Sequence, residues 1–135
     1  MSQQCLLFLL LAIRPFVSAA SDSKLLDVSQ TRTLVIAALP ETVKRLPGLD
    51  VAPGPVEKDR CVTLEVLWAN PGVGSAHVDF YTVDLHTGAI WRGVTGLLSL
   101  ISSPSLRTTQ RKLWKVTGAC EADYQDAVKK HQCGY

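Results

Sequence analysis

The chain has 135 residues and a formal net charge of +2, with 19% charged and 7% aromatic residues. This length suits a single domain. Such a nearly balanced charge gives no general attraction to nucleic acid or to an anionic membrane surface, and the aromatic residues are too few for a base-stacking platform. We therefore expect no nucleic-acid partner.

An apolar segment lies near the start of the chain. Leu6 to Ile13 contains no polar residue, Pro15 follows it, and Val17-Ser18-Ala19 offers the short side chains that signal peptidase accepts. The run is much shorter than the about 20 residues that cross a hydrocarbon core. We predict that residues 1–19 are a cleaved signal peptide without a retained membrane anchor, and that residues 20–135 form one periplasmic or secreted domain. A buried N-terminal helix is the alternative.

The first element of the domain is predicted to be a helix. Ser29 is a suitable N-cap, and an apolar stripe continues to Leu46. Pro40 predicts a kink or a restart within this helix. The Pro- and Gly-containing segment from Leu49 to Arg60 is predicted to be a connecting loop.

Three strands are predicted next. Residues 61–70 alternate between apolar and polar side chains, residues 76–84 form a second strand, and residues 89–92 form a third after a tight turn. On the second strand, alternation places Val78, Phe80 and Thr82 on one face. It places His77, Asp79, Tyr81 and Val83 on the other. The apolar segment from Val94 to Ile101 is either a fourth strand or the inside of a loop.

Two helices are predicted at the C-terminal end. Ser103 and Pro104 begin one that continues to about Val116, and Gly118 ends it. Glu121 to His131 form the other, with acidic residues in its first turn and basic residues in its last. The predicted fold class is α+β: an N-terminal helix packed on a three- or four-stranded antiparallel sheet, followed by two short C-terminal helices.

Cysteine spacing predicts a disulfide. Removal of the leader leaves Cys61, Cys120 and Cys133 in an oxidising compartment. If the last helix forms, Cys120 and Cys133 lie about 19 Å apart along its axis, whereas a disulfide requires Cα atoms within about 7 Å. Cys61 must then pair with one of them. We favour a Cys61–Cys133 bond, which would stabilise the folded domain by about 4 kcal/mol. Cys120 would then be a buried small apolar side chain or an intermolecular link.

No set of residues forms a recognisable catalytic or metal-binding motif, and no cofactor is predicted. His77 and Asp79, two residues apart on one strand, suggest a general-base pair or half of a metal site, but a polar outer face is the favoured interpretation. Asp84 and His86 share a turn whose composition is ordinary for turns. A metal site would need further ligands at defined spacing.

Two segments are candidates for binding a protein partner. Pro71, Gly72, Val73, Gly74 and Ser75 form a hairpin loop that places Val73 between glycines, where an apolar side chain gains little from its own fold. The functional interpretation is insertion into a partner's cleft, and the alternative is a plain connector. The second candidate is the cationic 103–116 helix with Trp114, for which a solvated charged face is the alternative.

The hairpin Tyr81-Thr82-Val83-Asp84-Leu85-His86-Thr87-Gly88-Ala89-Ile90 resembles the Tyr-x-Val-Asp-x-x-Thr-Gly turn of PepSY and cystatin-like exported domains. The resemblance covers residues 29–92 and implies a helix packed across an antiparallel sheet, with binding or inhibition as the activity. The Gln-x-Val-x-Gly loop of cystatins is missing, so inhibition through that loop is not implied.

These observations favour a non-enzymatic exported binding protein. We expect an inhibitor of a secreted hydrolase, such as a peptidase or cell-wall hydrolase, or an immunity protein against one, with loop 71–75 as the inserted element. One alternative is a small exported hydrolase that uses His77 and Asp79. Another is a structural subunit of an envelope assembly that buries residues 94–101. A homodimer is left open.

Overall fold

The computed structural model describes residues 24–57, 60–70, 72, 74–94 and 97–133. Within them the order of elements is two helices, five strands and two helices. The α+β class is therefore confirmed, although the sheet has five strands where three or four were predicted.

The N-terminal helix α1 spans Val28–Ala38. Asp27 caps it: its side chain accepts a hydrogen bond from the Gln30 backbone N–H, and the Gln30 side chain accepts one from the Asp27 N–H. The cap lies two residues before the predicted Ser29. The predicted interruption at Pro40 is confirmed, since a short helix α2, Glu41–Lys44, begins directly after it.

All five strands join neighbours in sequence into one antiparallel meander. They are β1 Leu49–Glu57, β2 Cys61–Asn70, β3 Gly74–Asp84, β4 Ile90–Val94 and β5 Leu97–Ile101. Strand β1 corrects the prediction of a loop over residues 49–60. Its prolines are tolerated because β1 is an edge strand, where a missing N–H need not cost a ladder bond, and its register with β2 shifts between Pro53 and Val56. The apolar segment from Val94 to Ile101, predicted to be either a strand or the inside of a loop, contains strand β5.

The main core lies between α1 and one face of the sheet. From α1 and its C-terminal end it includes Leu34, Val35 and Leu39. The sheet contributes Val51, Val62, Leu64, Val66, Tyr81, Val83 and Ile90. Burial of these apolar surfaces is the main stabilising contribution to such a fold.

Two helices follow the sheet in sequence: α3 spans Pro104–Thr117 and α4 spans Glu121–Lys129. Ser103 caps α3 as predicted, and Gly118 ends it with φ 75°. The last helix ends at Lys129, two residues before the predicted His131. A second apolar cluster forms where α4 and the C-terminal tail meet the sheet: Cys61, Ala89, Trp91, Tyr124 and Cys133.

The Cys61–Cys133 disulfide is present, with the two Cα atoms 5.7 Å apart. It joins the start of β2 to the tail beyond α4, as the spacing argument favours. Cys120 was expected to be a buried small apolar side chain or an intermolecular link; it is disulfide-bonded as well, so the first of these two expectations is wrong.

Candidate functional site

The hairpin of β2 and β3 extends beyond β4, whereas on its other side β1 pairs with β2 as far as Trp68, two residues before β2 ends. β4 pairs only with Phe80 to Val83 of β3, so the segment Gly74–Asp79 has no described strand on that side. At the tip, Gly72 and Gly74 adopt positive φ values of 95° and 85°, which glycine alone reaches without strain. A Cβ atom added to either would meet no neighbouring atom within 4 Å. The tip therefore projects into open space.

The predicted loop 71–75 maps onto this tip. Gly72 lies in the turn, Gly74 begins β3 opposite Asn70, and Ser75 pairs with Ala69. Pro71 and Val73 lie outside the described residues. The proposed insertion of Val73 into a partner thus stays a prediction.

A β-bulge separates the predicted His77–Asp79 pair. Consecutive β2 residues Val66 and Leu67 lie opposite Asp79 and His77, so Val78 is the extra residue. Asp79 then shares a face with the buried Val66, whereas His77 turns to the opposite face. The prediction that both side chains point the same way is wrong, and the structure does not bring together the pair on which the hydrolase alternative depends.

Each member of that pair has another partner. Asp79 accepts a short hydrogen bond from Arg92 and another from the Phe80 N–H. The bond to Asp79 raises the pKa of Arg92. His77 Nδ1 lies 3.1 Å from Glu65 Oε1, and its ring centroid is 4.2 Å from that of Phe80.

Phe80, Glu65 and His77 mark an open part of the sheet. Phe80 lies directly opposite Glu65 and is 45% exposed. A cavity of about 260 Å³ adjoins it. Its lining is formed by Ala52, Pro53, Gly54, Pro55, Glu57, Thr63, Glu65 and Phe80. Most of the lining side chains are apolar, and Glu57 and Glu65 contribute carboxylates. We call Phe80, Glu65, His77 and the 70–75 tip the hairpin surface.

The turn after β3 is structural. The Asp84 carboxylate is fully buried, and Arg60 donates two hydrogen bonds to it at 2.7 and 2.6 Å. Thr87 donates a third at 2.5 Å. The bonds from Arg60 to Asp84 raise the pKa of Arg60. Because its oxygens are enclosed and occupied, Asp84 is not placed to meet a substrate.

Trp114 contacts other residues of the fold. Its Nε1 donates a hydrogen bond to the Thr87 carbonyl oxygen at 2.8 Å, and its ring packs beside Tyr124. The guanidinium of Arg107 stacks over Tyr124 at 3.7 Å and also pairs with Glu121. The predicted Trp114 contact face is therefore occupied by structural contacts, and sequence periodicity did not distinguish the two roles.

Within the described ranges, no group of three or more His, Cys, Asp or Glu side chains is arranged to hold a metal ion. None of the helices described there is long and apolar enough to cross a bilayer.

No protein-family model and no curated protein matches the chain. Among solved structures, it resembles a chain of a type VI secretion system effector–immunity complex from Pseudomonas protegens. The TM-score is 0.59 at 19% identity, over 82% of this chain and 92% of that chain. At this identity the likeness shows a shared fold. The resemblance to PepSY and cystatin-like domains stays a prediction.

Proposed function

We propose that the protein is an exported, non-enzymatic inhibitor or immunity protein that binds a hydrolase of the periplasm or secreted space. The observation that carries the proposal is the β2–β3 hairpin, whose tip has open space around Gly72 and Gly74 and whose strand β3 exposes Phe80. A fold similar to a chain from an effector–immunity complex supports the choice of a protein partner.

The hairpin surface suits this role for physical reasons. A short strand pair whose tip has open space around it can enter a concave site without moving the core. Phe80 supplies a large apolar contact, and the Glu65 carboxylate beside it supplies polar specificity. Aromatic anchors surrounded by polar groups are typical of the residues that dominate binding energy at protein interfaces.

The partner can be found by capture from the native envelope or culture medium on the mature, disulfide-bonded protein. We expect a captured hydrolase whose turnover falls to zero at an equimolar ratio. Calorimetry with the wild-type protein and with Phe80→Asp and Val73→Asp then locates the contact. We expect each substitution to weaken binding by about thirtyfold or more, the equivalent of a hot-spot residue.

Ile36→Asp is the matched control, because Ile36 is an equally exposed apolar residue of α1, on the helix that covers the other face of the sheet. Its affinity should equal that of the wild type. Unchanged affinity in both hairpin-surface variants, or full hydrolase turnover at saturation, would contradict the proposal.

A further inference from the structure

The two edges of the sheet differ in how well they are protected. An exposed strand edge offers unpaired N–H and C=O groups to another chain, and proteins usually block it with prolines, charges or bulges. The β1 edge has Pro53 and Pro55 and a register shift between Pro53 and Val56. The β5 edge, Leu-Leu-Ser-Leu-Ile over residues 97–101, has no proline, no charge and an unbroken register with β4.

Strand β5 is anchored to both apolar clusters, and no described strand pairs with its outer side. Ile101 packs against the main core and Leu98 against the second cluster. Among the described strands only β4 pairs with it. Ser99 is exposed and Leu100 is 39% exposed. An uncharged strand whose outer edge pairs with no described strand is a template for adding one more strand.

We propose that this edge pairs with β5 of a second copy of the chain, so that two five-stranded sheets join into one. The sequence of β5 is self-complementary in an antiparallel arrangement. A two-fold axis at Ser99 places Ser99 opposite its own mate, Leu98 opposite Leu100, and Leu97 opposite Ile101. Every cross-strand pair is then apolar–apolar or Ser–Ser, which are favourable combinations, and no like charges meet.

A variant with one added cysteine tests this register. Directly opposed residues in antiparallel strands have Cα atoms about 4.5–5.5 Å apart, within the range that a disulfide spans. Ser99→Cys should therefore form a covalent dimer rapidly under mild oxidation. Ser102→Cys is the control, because the same axis separates position 102 of one copy from position 102 of the other by about six residues of strand, or about 20 Å.

Sedimentation velocity on the mature, disulfide-bonded protein gives an independent measurement. We expect a dimer fraction that rises with concentration from the low-micromolar to the near-millimolar range. Ser99→Lys places two like charges opposite each other and should raise the dimer dissociation constant by at least about fivefold, whereas Ser102→Lys should leave it unchanged.

A protein that stays monomeric throughout this range would overturn the proposal. So would a Ser99→Cys chain that cross-links no faster than Ser102→Cys, or a dimer insensitive to Ser99→Lys, since the contact would then lie elsewhere. None of these results depends on the hydrolase partner, so this inference and the proposed function can fail separately.

Discussion

Removal of the Cys61–Cys133 disulfide should destabilise the protein strongly. The bond joins residues 72 positions apart. In the chain-entropy model a closed loop of this length restricts the unfolded chain by about 4 kcal/mol at 25 °C. A domain of this size has a total free energy of unfolding of about 5–15 kcal/mol. The double variant Cys61→Ala/Cys133→Ala should therefore be marginally stable.

Urea unfolding followed by tryptophan fluorescence measures this loss, because Trp91 is 1% exposed and lies in the same cluster as both cysteines. We expect the free energy of unfolding of the double variant to fall by about 4 kcal/mol, with a similar slope. Wild-type protein treated with a reductant that opens this bond should lose at least as much. A loss below about 1 kcal/mol would refute the chain-entropy reasoning for this loop.

Three further predictions concern stability. Asp84→Ala leaves the Arg60 guanidinium without its carboxylate and should lower the free energy of unfolding in urea by about 3 kcal/mol. If the losses of Asp84→Ala and Arg60→Ala simply add up in the double variant, the two residues are not coupled and the prediction is contradicted. Gly88→Ala should cost more than Gly118→Ala in thermal unfolding. Both residues have positive φ, but only at Gly88 would the new Cβ crowd a neighbouring side chain, at 3.1 Å. Burial raises the pKa of Tyr81 above its usual 10.0, so stability should be fully present below pH 10 and fall as the pH rises through the folded-state pKa. Tyr81→Phe should flatten that decline, and an unchanged pH profile would contradict it.

Periodicity predicted the elements whose signal is local. β2 alternates between apolar and polar residues from Val62 to Val66, and α3 has a capping serine, an N-terminal proline and a terminal glycine, so both were found with bounds close to those observed. Strand β1 was missed because Pro53, Gly54 and Pro55 are typical of loops. Its pairing with β2 in a hairpin, which the composition of residues 49–60 alone does not indicate, makes it a strand.

The candidate site could be predicted only in part. The projecting hairpin follows from the turn residues between two alternating segments. The bulge at Val78 depends on cross-strand register, which strict alternation along one strand cannot anticipate. It sends His77 and Asp79 to opposite faces and brings His77 to Glu65 and Phe80. Likewise, the hydrogen bond from Trp114 to Thr87 is set by tertiary packing, so the half-buried position of Trp114 could not be derived from the helical pattern.

The proposed function requires export to a compartment where thiols are oxidised. Intact mass without reductant, combined with N-terminal sequencing of the protein purified from its native source, tests this most directly. We expect a chain that begins at Ala20 and has Cys61 bridged to Cys133. A product that begins at Met1, or one in which Cys61 and Cys133 are reduced, would contradict it.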